Sequence, residues 1–393
     1  MVRSFQPLIM LLDGDYYHSL RIAEELKRCL DIELVGIGSK PTSCLLRSSY
    51  PSIKDVASEV DIADYARELL ALIRKHRPDF VLPVGTRSVI ALDLIRSKIP
   101  DNMFLLPDSD VLHTCLDKAS VLRIARRIGI GTPRDYTDYV HKADRDGRAE
   151  GCLRELVFPV FLKASREAGR NIIAKVDSHA EFWSTYDSLR RETIDGLVLV
   201  QEYIDGDPAT FGYGFLFLDG KAVLAFGHEE VRSVPRLGGS GTRLRVYENE
   251  KLRLASEKLL CKLKYEGVAL VEYKKCSDGS FALMEVNPKF WASYSLASKC
   301  NYHFAAQLVG AHLNIPVKSY DRKNNGEMVF PLREAIYCAK HWGLNDESFL
   351  KSAVSMLWPP ARWDMTMKEL WWSIPLPSDV IKRAMSGPPR QMG

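Results

Sequence analysis

The sequence predicts a mixed protein, with an α/β region first and an α+β region after it. Between residues 7 and 106, short apolar segments alternate with helical patterns, which is typical of a parallel sheet with helices on its faces. From residue 197 to residue 287, four or more strand candidates are interrupted by a single helix. A length of 393 residues exceeds what one simple core supports, so we expect two or three domains.

The N-terminal elements follow from apolar periodicity. The strand candidates are Leu8–Leu12, Ile32–Ile37, Phe80–Pro83 and Met103–Leu106, and the helix candidates are Tyr16–Cys29, Asp61–His76 and Thr86–Ser97. The turn Asp13-Gly14-Asp15 follows the first strand, at the edge where such sheets bind ligands. It lacks the pattern G-x-G-x-x-G, and its acids would repel a pyrophosphate. The sequence therefore predicts no dinucleotide site there.

The middle of the chain predicts further helices and strands by the same criteria. The helix candidates are Ser109–Cys115, Lys118–Ile128, His179–Arg191 and Asn249–Leu263, and the strand candidates include Phe158–Ala164 and Asn171–Val176. The polar stretch Tyr139–Gly151 is predicted to be a flexible connection.

Composition excludes several classes of protein. An apolar content of 46% and a charged content of 26% are ordinary for a globular protein, and a net charge of +4 with no basic run argues against nucleic-acid binding. The first apolar run, Pro7–Leu12, is too short for a secretory signal or a transmembrane segment. Eight scattered cysteines without a CxxC pair indicate reduced thiols and a cytoplasmic location.

Two glutamates are predicted to face each other across a β-hairpin. The segments Gly267–Tyr273 and Ser280–Asn287 are strand candidates, and Asp278-Gly279 between them is a two-residue turn signal. Counting outward from that turn pairs Glu272 with Glu285. Like charges directly opposite each other are destabilising, so the pair favours a bound cation.

Asn287 lies two positions beyond Glu285, and therefore on the same face of the strand. Two carboxylates and an amide oxygen are ligands for a hard cation, and they suit Mg²⁺ with phosphates supplying the remaining oxygens. The alternative is an exposed edge hairpin with solvated acids.

Two lysines are candidates for binding an anion. Lys163 interrupts an apolar strand and precedes the loop Ser165–Arg170, and such a unit can cover phosphates. The alternative is an edge-strand lysine with its ammonium group in water. Lys118 opens a helix and carries little weight alone. The segment Gln201–Ile204 ends another apolar strand and can present backbone groups to a purine.

A glycine-rich segment, Pro235–Thr242, follows Arg232. With its neighbouring arginines it can hold a carboxylate or a phosphate. It is equally consistent with a plain flexible loop. His228, just upstream, is predicted to be packed or solvated rather than a general base.

Together these features resemble the ATP-grasp superfamily, specifically its carboxylate–amine ligases, which are related to biotin carboxylase and carbamoyl-phosphate synthetase. The resemblance covers about residues 105–310. The segments that carry it, by their order and spacing, are Asp117-Lys118, Val160–Lys163, Gln201–Gly206, Gly238-Gly239, Glu272 and Glu285–Phe290.

The resemblance implies an architecture. Residues 1–107 would form the N-terminal Rossmann-like domain, and residues 108–196 the small ATP-grasp lobe with its lid. Residues 197–320 would form the large lobe with the metal site, and residues 321–393 a C-terminal helical region. Residues 171–175, with the loop before them, would belong to the mobile lid.

The resemblance also implies a role for each site residue, with ATP as the nucleotide. Phosphates would contact Lys118 and Lys163. The adenine hinge would be Gln201, Glu202, Tyr203 and Ile204, with Asp207 near the ribose. One or two Mg²⁺ ions, or Mn²⁺ as an alternative, would bind Glu272, Glu285 and Asn287.

Two residues are candidates for stabilising the negative charge that develops during the implied reaction. Lys289 stands where many members carry arginine, a group that stabilises the acyl phosphate or positions the substrate. A lysine keeps the charge but loses the bidentate geometry. Arg232 is the second candidate. The phosphate loop departs from the family pattern, because it holds Gly169 where members usually have several glycines.

The implied reaction converts a substrate carboxylate and ATP to an acyl phosphate, which an amine then attacks to form an amide or peptide bond. The implied partners are therefore small-molecule carboxylates and amines. One alternative is a bicarbonate- or carbamoyl-activating enzyme, and another is a catalytically inactive ATP-binding regulatory protein. A nicotinamide-dependent oxidoreductase is disfavoured because its glycine fingerprint is missing.

The C-terminal region is rich in tryptophan. Five of the seven tryptophans lie there: Trp342, Trp358, Trp363, Trp371 and Trp372. We expect a helical appendage that docks these aromatic side chains on the main body. The alternative is a homodimer contact or a weak membrane-surface contact, since tryptophan suits both interfaces.

Overall fold

The computed structural model describes residues 6–58, 61–146, 153–166, 172–193, 195–234 and 240–340, together with Trp363, Asp364, Thr366, Glu369 and Trp372. The chain separates into two compact units. Unit 1 comprises residues 1–105, 305–320 and 364–393, and unit 2 comprises residues 106–304 and 321–363. The predicted domain boundaries at 107, 196 and 320 stay predictions.

Within the described residues, the strands are β1 (Leu8–Leu11), β2 (Glu33–Gly38), β3 (Ile53–Val56), β4 (Phe80–Leu82), β5 (Val160–Ala164), β6 (Ile173–Val176), β7 (Val198–Glu202), β8 (Gly206–Leu218), β9 (Lys221–Val234), β10 (Ser240–Val246), β11 (Gly267–Cys276), β12 (Phe281–Asn287) and β13 (Glu327–Val329). The α-helices are α1 (Tyr17–Cys29), α2 (Cys44–Arg47), α3 (Ile62–His76), α4 (Thr86–Leu94), α5 (Ser109–Leu116), α6 (Lys118–Arg127), α7 (Thr137–Arg145), α8 (His179–Glu192), α9 (Glu250–Leu263), α10 (Tyr294–Lys299), α11 (Phe304–Leu313) and α12 (Pro331–Lys340). None of these helices has the length and apolar character needed to cross a bilayer.

Unit 1 contains the predicted parallel sheet, with strand order β3-β2-β1-β4. Its centre is apolar, since Ile9, Met10 and Leu11 of β1 are all fully buried. The edge strand β3 was not predicted, because its mostly exposed sequence, Ile-Lys-Asp-Val, has no apolar run. The predicted strand Met103–Leu106 is wrong: the chain there leaves a short 3₁₀ turn and runs unpaired into Pro107, which has no N–H to donate.

The turn after β1 contains a carboxylate, that of Asp13, which accepts hydrogen bonds from other groups of the same unit. Asp13 adopts a positive φ of 57° and accepts hydrogen bonds from the backbone N–H groups of Val84 at 2.9 Å and Gly85 at 2.7 Å, and from the hydroxyl of Ser88. These groups lie at the N-terminus of α4, which is a natural anion site. Because Asp13 fills that site, the contact supports the prediction that no dinucleotide phosphate binds there.

Part of the C-terminal region packs within unit 1. The Glu369 carboxylate, 1% exposed, lies 2.5 Å from a guanidinium nitrogen of Arg21 and accepts the Tyr50 hydroxyl proton at 2.9 Å. The Trp372 ring meets Tyr50 edge-on at 5.7 Å between ring centroids. The helical, tryptophan-rich character expected for the whole region stays a prediction. The other predicted tryptophans, apart from Trp363, lie outside the described residues.

Unit 2 begins with a small antiparallel sheet of order β6-β5-β7. Side chains alternate between its two faces, as they must in a strand. One face buries an apolar core against α7 and α8 that includes Val160, Leu162 and Val200. The opposite face carries Lys163 and Gln201, so the alternation itself brings these two polar groups to the same side.

The flexible connection predicted for Tyr139–Gly151 is wrong in its first half. Residues 137–145 form α7, with Val140 fully buried and Ala143 8% exposed, both in the core of the small sheet. The segment is polar on average, yet its two apolar side chains are three residues apart and therefore share a helix face. Residues 147–151 lie outside the described residues.

The second sheet of unit 2 has six strands in the order β12-β11-β8-β9-β10-β13. One face packs against α6 and α9 through aromatic and aliphatic side chains that include Phe211, Tyr213 and Val271. The residues next to them in sequence, among them Gly212 and Glu272, lie on the opposite face. Apolar packing on one side thus fixes which side chains line the other side.

A β-bulge in β12 sets the position of the acidic pair. Near the turn, Tyr273 pairs with Leu283, whereas one step further Glu272 pairs with Glu285, so Met284 is an extra residue in β12. Leu283 and Val286 both face the core, and the bulge between them is what turns Glu285 to the polar face.

The predicted pairing of Glu272 with Glu285 is confirmed, but the predicted turn is wrong. Cys276 bonds to Ser280 across a three-residue loop, in which only Gly279 has a positive φ, 82°. The one-residue change at the turn and the bulge at Met284 offset each other.

Candidate nucleotide and metal site

The acidic pair lies at the centre of a group of polar side chains. The Asn287 amide nitrogen is 2.7 Å from a carboxylate oxygen of Glu272 and 3.0 Å from one of Glu285. The Lys118 ammonium nitrogen, at the start of α6, is 3.1 Å from the second Glu285 oxygen. The structure therefore brings together four predicted site residues from α6, β11 and β12.

Electrostatics distinguish the two carboxylates. Burial and the adjacent Glu285 raise the pKa of Glu272 well above its usual range. Burial also acts to raise the pKa of Glu285, but Lys118, Lys163 and hydrogen bonds hold it below its ordinary value. The side chains present thus compensate the charge of Glu272 poorly, and a bound cation would supply the missing positive charge.

The donor set fits a divalent hard cation. Mg²⁺ is typically held by one or two carboxylates with phosphates and water completing its shell. If the Asn287 amide turned over, its oxygen would point at the same position between the two carboxylates. Among the described residues no cluster of three or more acidic, histidine or cysteine side chains forms a metal site, so the ligands available are the pair and Asn287.

Lys163 is buried in this site. Its side chain lies on β5, it is 5% exposed, and its ammonium nitrogen is 3.3 Å from the backbone oxygen of Met284, the bulged residue. Burial lowers the pKa of Lys163 to about 8, against an opposing effect from Glu285. The bulge therefore has a second consequence, because the backbone carbonyl oxygen of Met284 accepts a hydrogen bond from the Lys163 ammonium group.

Asp117 connects the segments that carry the two lysines, Lys118 and Lys163, through hydrogen bonds. Its carboxylate accepts hydrogen bonds from the hydroxyls of Ser165 and Ser120, both at 2.6 Å, and from the Ala119 N–H at 3.1 Å. The Lys118 N–H in turn donates to the Ser165 carbonyl at 3.1 Å. Since Ser165 follows Lys163 by two residues, Asp117 fixes the start of α6 to the end of β5.

We expect Asp117→Ala to weaken nucleotide binding by about tenfold to a hundredfold, the usual range for groups that orient ligand-binding residues. It should also lower the free energy of unfolding by about 1 kcal/mol, the ordinary cost of a lost helix N-cap. Calorimetric titration with MgATP and chemical denaturation measure the two effects. The matched control is Asp61→Ala, which removes the N-cap of α3 in unit 1. Equal nucleotide affinity in both variants would contradict the positioning role.

The predicted adenine hinge lies on the same small sheet. Gln201 is fully buried, and neither polar atom of its amide has a hydrogen-bond partner among the described residues. The Glu202 N–H donates to the backbone carbonyl oxygen of Arg134 at 2.9 Å, and the Tyr203 N–H donates to that of Pro159 at 3.2 Å. A buried amide without partners is costly, so Gln201 is the hinge side chain that most clearly favours a polar ligand.

The other hinge residues are more open. The Lys175 ammonium group lies 4.9 Å from the centre of the Tyr203 ring. Ile204 is partly buried. The exposed Asp207 accepts the Ala209 N–H at 2.9 Å. The predicted role of Asp207 near the ribose stays a prediction.

The two predicted charge-stabilising residues differ in their surroundings. Lys289 follows β12 and acts to lower the pKa of Glu272, so its charge is close to the acidic pair. The Arg232 guanidinium, on β9, pairs with the fully buried Glu334 of α12 and lies 4.5 Å from the Tyr337 ring centre. The Arg232 charge is therefore compensated by Glu334, and the predicted catalytic role of Arg232 stays a prediction. The neighbouring segment 235–239, including Gly238-Gly239, lies outside the described residues.

Sequence reasoning missed a second polar group on the same sheet face. Glu230 of β9 accepts a hydrogen bond from Ser293 and lies in the field of Arg333 and Lys274. These residues come from four separate segments, so no local spacing predicts their meeting. The one available signal was the alternation His228-x-Glu230-x-Arg232, which places three polar side chains on one strand face.

No protein-family model and no curated protein matches the sequence. Solved structures do match. Biotin carboxylase from Campylobacter jejuni, in complex with β-γ-ATP, aligns with a TM-score of 0.66 and 15% identity, over 81% of this chain and 74% of that one.

Two further structures extend the comparison. The biotin carboxylase domain of 2-oxoglutarate carboxylase from Hydrogenobacter thermophilus, a dimer with MgADP and bicarbonate, aligns with a TM-score of 0.64 and 15% identity, over 82% of this chain and 74% of that one. N5-carboxyaminoimidazole ribonucleotide synthetase from Thermotoga maritima aligns with a TM-score of 0.60 and 15% identity, over 85% and 87%. This chain therefore has the ATP-grasp fold, as the sequence resemblance implied.

Proposed function

We propose that this protein is an ATP-dependent ligase that activates a substrate carboxylate as an acyl phosphate and joins it to an amine. The observation that carries the proposal is the convergence of Glu272, Glu285 and Asn287 with two lysines, Lys118 and Lys163. Opposed carboxylates beside paired lysines suit a metal-bound polyphosphate, since each charge then has a counter-charge. The structural neighbours named above include complexes with ATP and with MgADP, which supports the same conclusion.

The residues of the chain would act by charge compensation and alignment, which dominate phosphoryl transfer. Lys118 and Lys163 would hold phosphate oxygens and offset the charge that develops as the γ-phosphoryl group moves to the carboxylate. Lys289 would lie beside the acyl phosphate, with a single charge in place of a bidentate arginine. No nucleophilic side chain is needed, because the substrate carboxylate is itself the nucleophile.

Magnesium would be held by Glu272, Glu285 and Asn287. When bound, it would polarise phosphoryl oxygens and reduce the repulsion between ATP and the incoming carboxylate. The hinge Gln201–Ile204 would hold the adenine. Asp117 would keep the two lysines at a fixed separation.

A phosphate-release screen tests the proposal. The protein, ATP and Mg²⁺ are incubated with a panel of carboxylic acids, first alone and then with a panel of amines. Phosphate release that needs both an acid and an amine is the expected result. Release stimulated by bicarbonate without any amine would instead identify a bicarbonate-activating enzyme. MgATP binding without ADP formation across the whole panel would identify a catalytically inactive nucleotide-binding protein.

A further inference from the structure

A lysine outside the predicted site shares a sheet face with the acidic pair. Lys274 lies two residues beyond Glu272 on β11, so both side chains point to the same face and their α-carbons are about 7 Å apart. Tyr273 between them packs in the core on the opposite face. The charges of Glu272 and Asp207 both act on Lys274. Its ammonium group is therefore close to the acidic pair and to the residue predicted near the ribose.

The Lys274 ammonium group is held at the start of β8. Pairing between β8 and β11 is interrupted between Gly206 and Thr210, and the backbone oxygens of Pro208 and Ala209 lie in that interval. The Lys274 Nζ atom donates to these two oxygens at 2.7 and 3.1 Å. An ammonium group has three N–H donors, and no acceptor for the third is found in the described part of the chain. One donor is thus available to a ligand.

Thr210 places a hydroxyl group beside this lysine. The two residues are directly opposite each other in the pairing of β8 with β11, and such residues share a face with their β-carbons about 5 Å apart. Both side chains are partly exposed, so a ligand can reach them. An ammonium group next to a hydroxyl group suits an anion with several oxygens.

The position of this pair along β8 indicates which anion it suits. β8 begins just after the predicted hinge Gln201–Ile204, and its residue Gly212 pairs with Glu272. Lys274 and Thr210 pair between these two points, on the hinge side of the acidic pair. A nucleotide with its base at the hinge and its terminal phosphates at the acidic pair has its ribose and α-phosphate in between. Of these two groups, only the α-phosphate is an anion.

From this geometry we infer that Lys274 and Thr210 bind the α-phosphate of the nucleotide. Lys274 supplies a point charge and an N–H donor, and Thr210 supplies a hydroxyl donor, to the non-bridging oxygens. The inference rests on the proposed function and adds two nucleotide-binding residues to it. The basic residues then divide by phosphate, with Lys274 at the α-phosphate and with Lys118 and Lys163 at the phosphates next to the metal.

The test variant is Lys274→Met, and the measurement is displacement of a fluorescent ATP analogue by ATP, ADP, AMP and adenosine in the presence of Mg²⁺. We expect the affinity for all three nucleotides to fall by the same factor, about tenfold to a hundredfold, the usual effect of losing a hydrogen bond to a charged group. The affinity for adenosine, which has no phosphate, should be unchanged. Thr210→Val keeps the shape of its side chain and should show the same pattern, with a loss of about tenfold.

The matched control is Lys275→Met, which changes the net charge equally. Lys275 is the next residue of β11 and is likewise partly buried. It pairs with Phe281, which packs against the core on the opposite face of the sheet. This control should keep the affinity of the unaltered protein for every ligand, and a loss equal to that of Lys274→Met would overturn the inference.

The series of ligands separates the other outcomes. A loss confined to ATP and ADP would place Lys274 at the terminal phosphates, and an equal loss with adenosine would make its role structural, so either result overturns the inference. Unchanged nucleotide affinity with a raised Michaelis constant for the acid would assign the lysine to the carboxylate substrate instead. Failure of the unaltered protein to bind any of the three nucleotides would contradict the proposed function itself.

Discussion

Replacing Glu285 by glutamine should lower ATP-dependent turnover by about a hundredfold to a thousandfold, the range found when one group that stabilises transition-state charge is removed. The amide keeps the shape of the side chain but removes the charge that faces Lys118 at 3.1 Å. The folded variant should be less stable than the parent protein, since the lowered pKa of Glu285 shows that the fold favours its ionised form, which faces Lys118 and Lys163. Steady-state phosphate release and thermal unfolding of the same samples measure both quantities.

The matched control is Glu257→Gln on α9. The Glu257 side chain is 33% exposed, close to the 26% of Glu285, and it is likewise paired with a basic residue, Arg253, at 2.8 Å. It lies away from the acidic pair, so the control should keep full activity. Full activity in Glu285→Gln as well would show that this carboxylate does not hold the metal.

Lys163→Met should remove activity and yet stabilise the protein without nucleotide. A pKa lowered from 10.5 to about 8 means that folding disfavours the charged form of Lys163. That penalty amounts to about 3 kcal/mol at pH 7, as an upper limit. An apolar side chain of similar length avoids it. We therefore expect a higher midpoint of chemical denaturation, together with loss of nucleotide binding in calorimetric titration.

The lowered pKa of Lys163 also determines how the stability of the protein changes with pH. Between pH 8 and pH 10.5 the unfolded chain retains a proton on Lys163 that the folded chain has released, so the stability of the unaltered protein rises with pH. The advantage of Lys163→Met should be full below pH 8 and disappear as the pH rises to 10.5. Lys258→Met, at an exposed lysine, serves as the control. A variant no more stable than the parent protein at pH 7 would contradict the buried-charge account.

The acidic pair shows how far the sequence alone determines the site. Alternation along β11 and β12 placed Glu272 and Glu285 opposite each other, and the structure agrees. The route was partly wrong, because the turn has three loop residues and Met284 is bulged. A bulge depends on packing against the rest of the sheet, in particular on Leu283 and Val286 both reaching the core. Sequence spacing therefore predicts the strands more accurately than it predicts a β-bulge.

Helix α7 shows the opposite case. Its polar composition predicts a connection, yet Val140 and Ala143 are enough to bury one face against the small sheet. Tertiary packing there overrides the local signal. Glu230, Ser293 and Arg333 were missed for a different reason, since they meet only after β9, the segment following β12 and α12 come together. The residues predicted most reliably were those whose neighbours are set by strand register.

The account depends most on the assignment of the metal to the acidic pair. A crystal structure with magnesium and a non-hydrolysable ATP analogue tests it directly. We expect the metal to be coordinated by oxygens of Glu272, Glu285 and Asn287 and by phosphate, with Lys118 and Lys163 on the same phosphates. Nucleotide bound with its metal away from Glu272 and Glu285 would contradict the central claim.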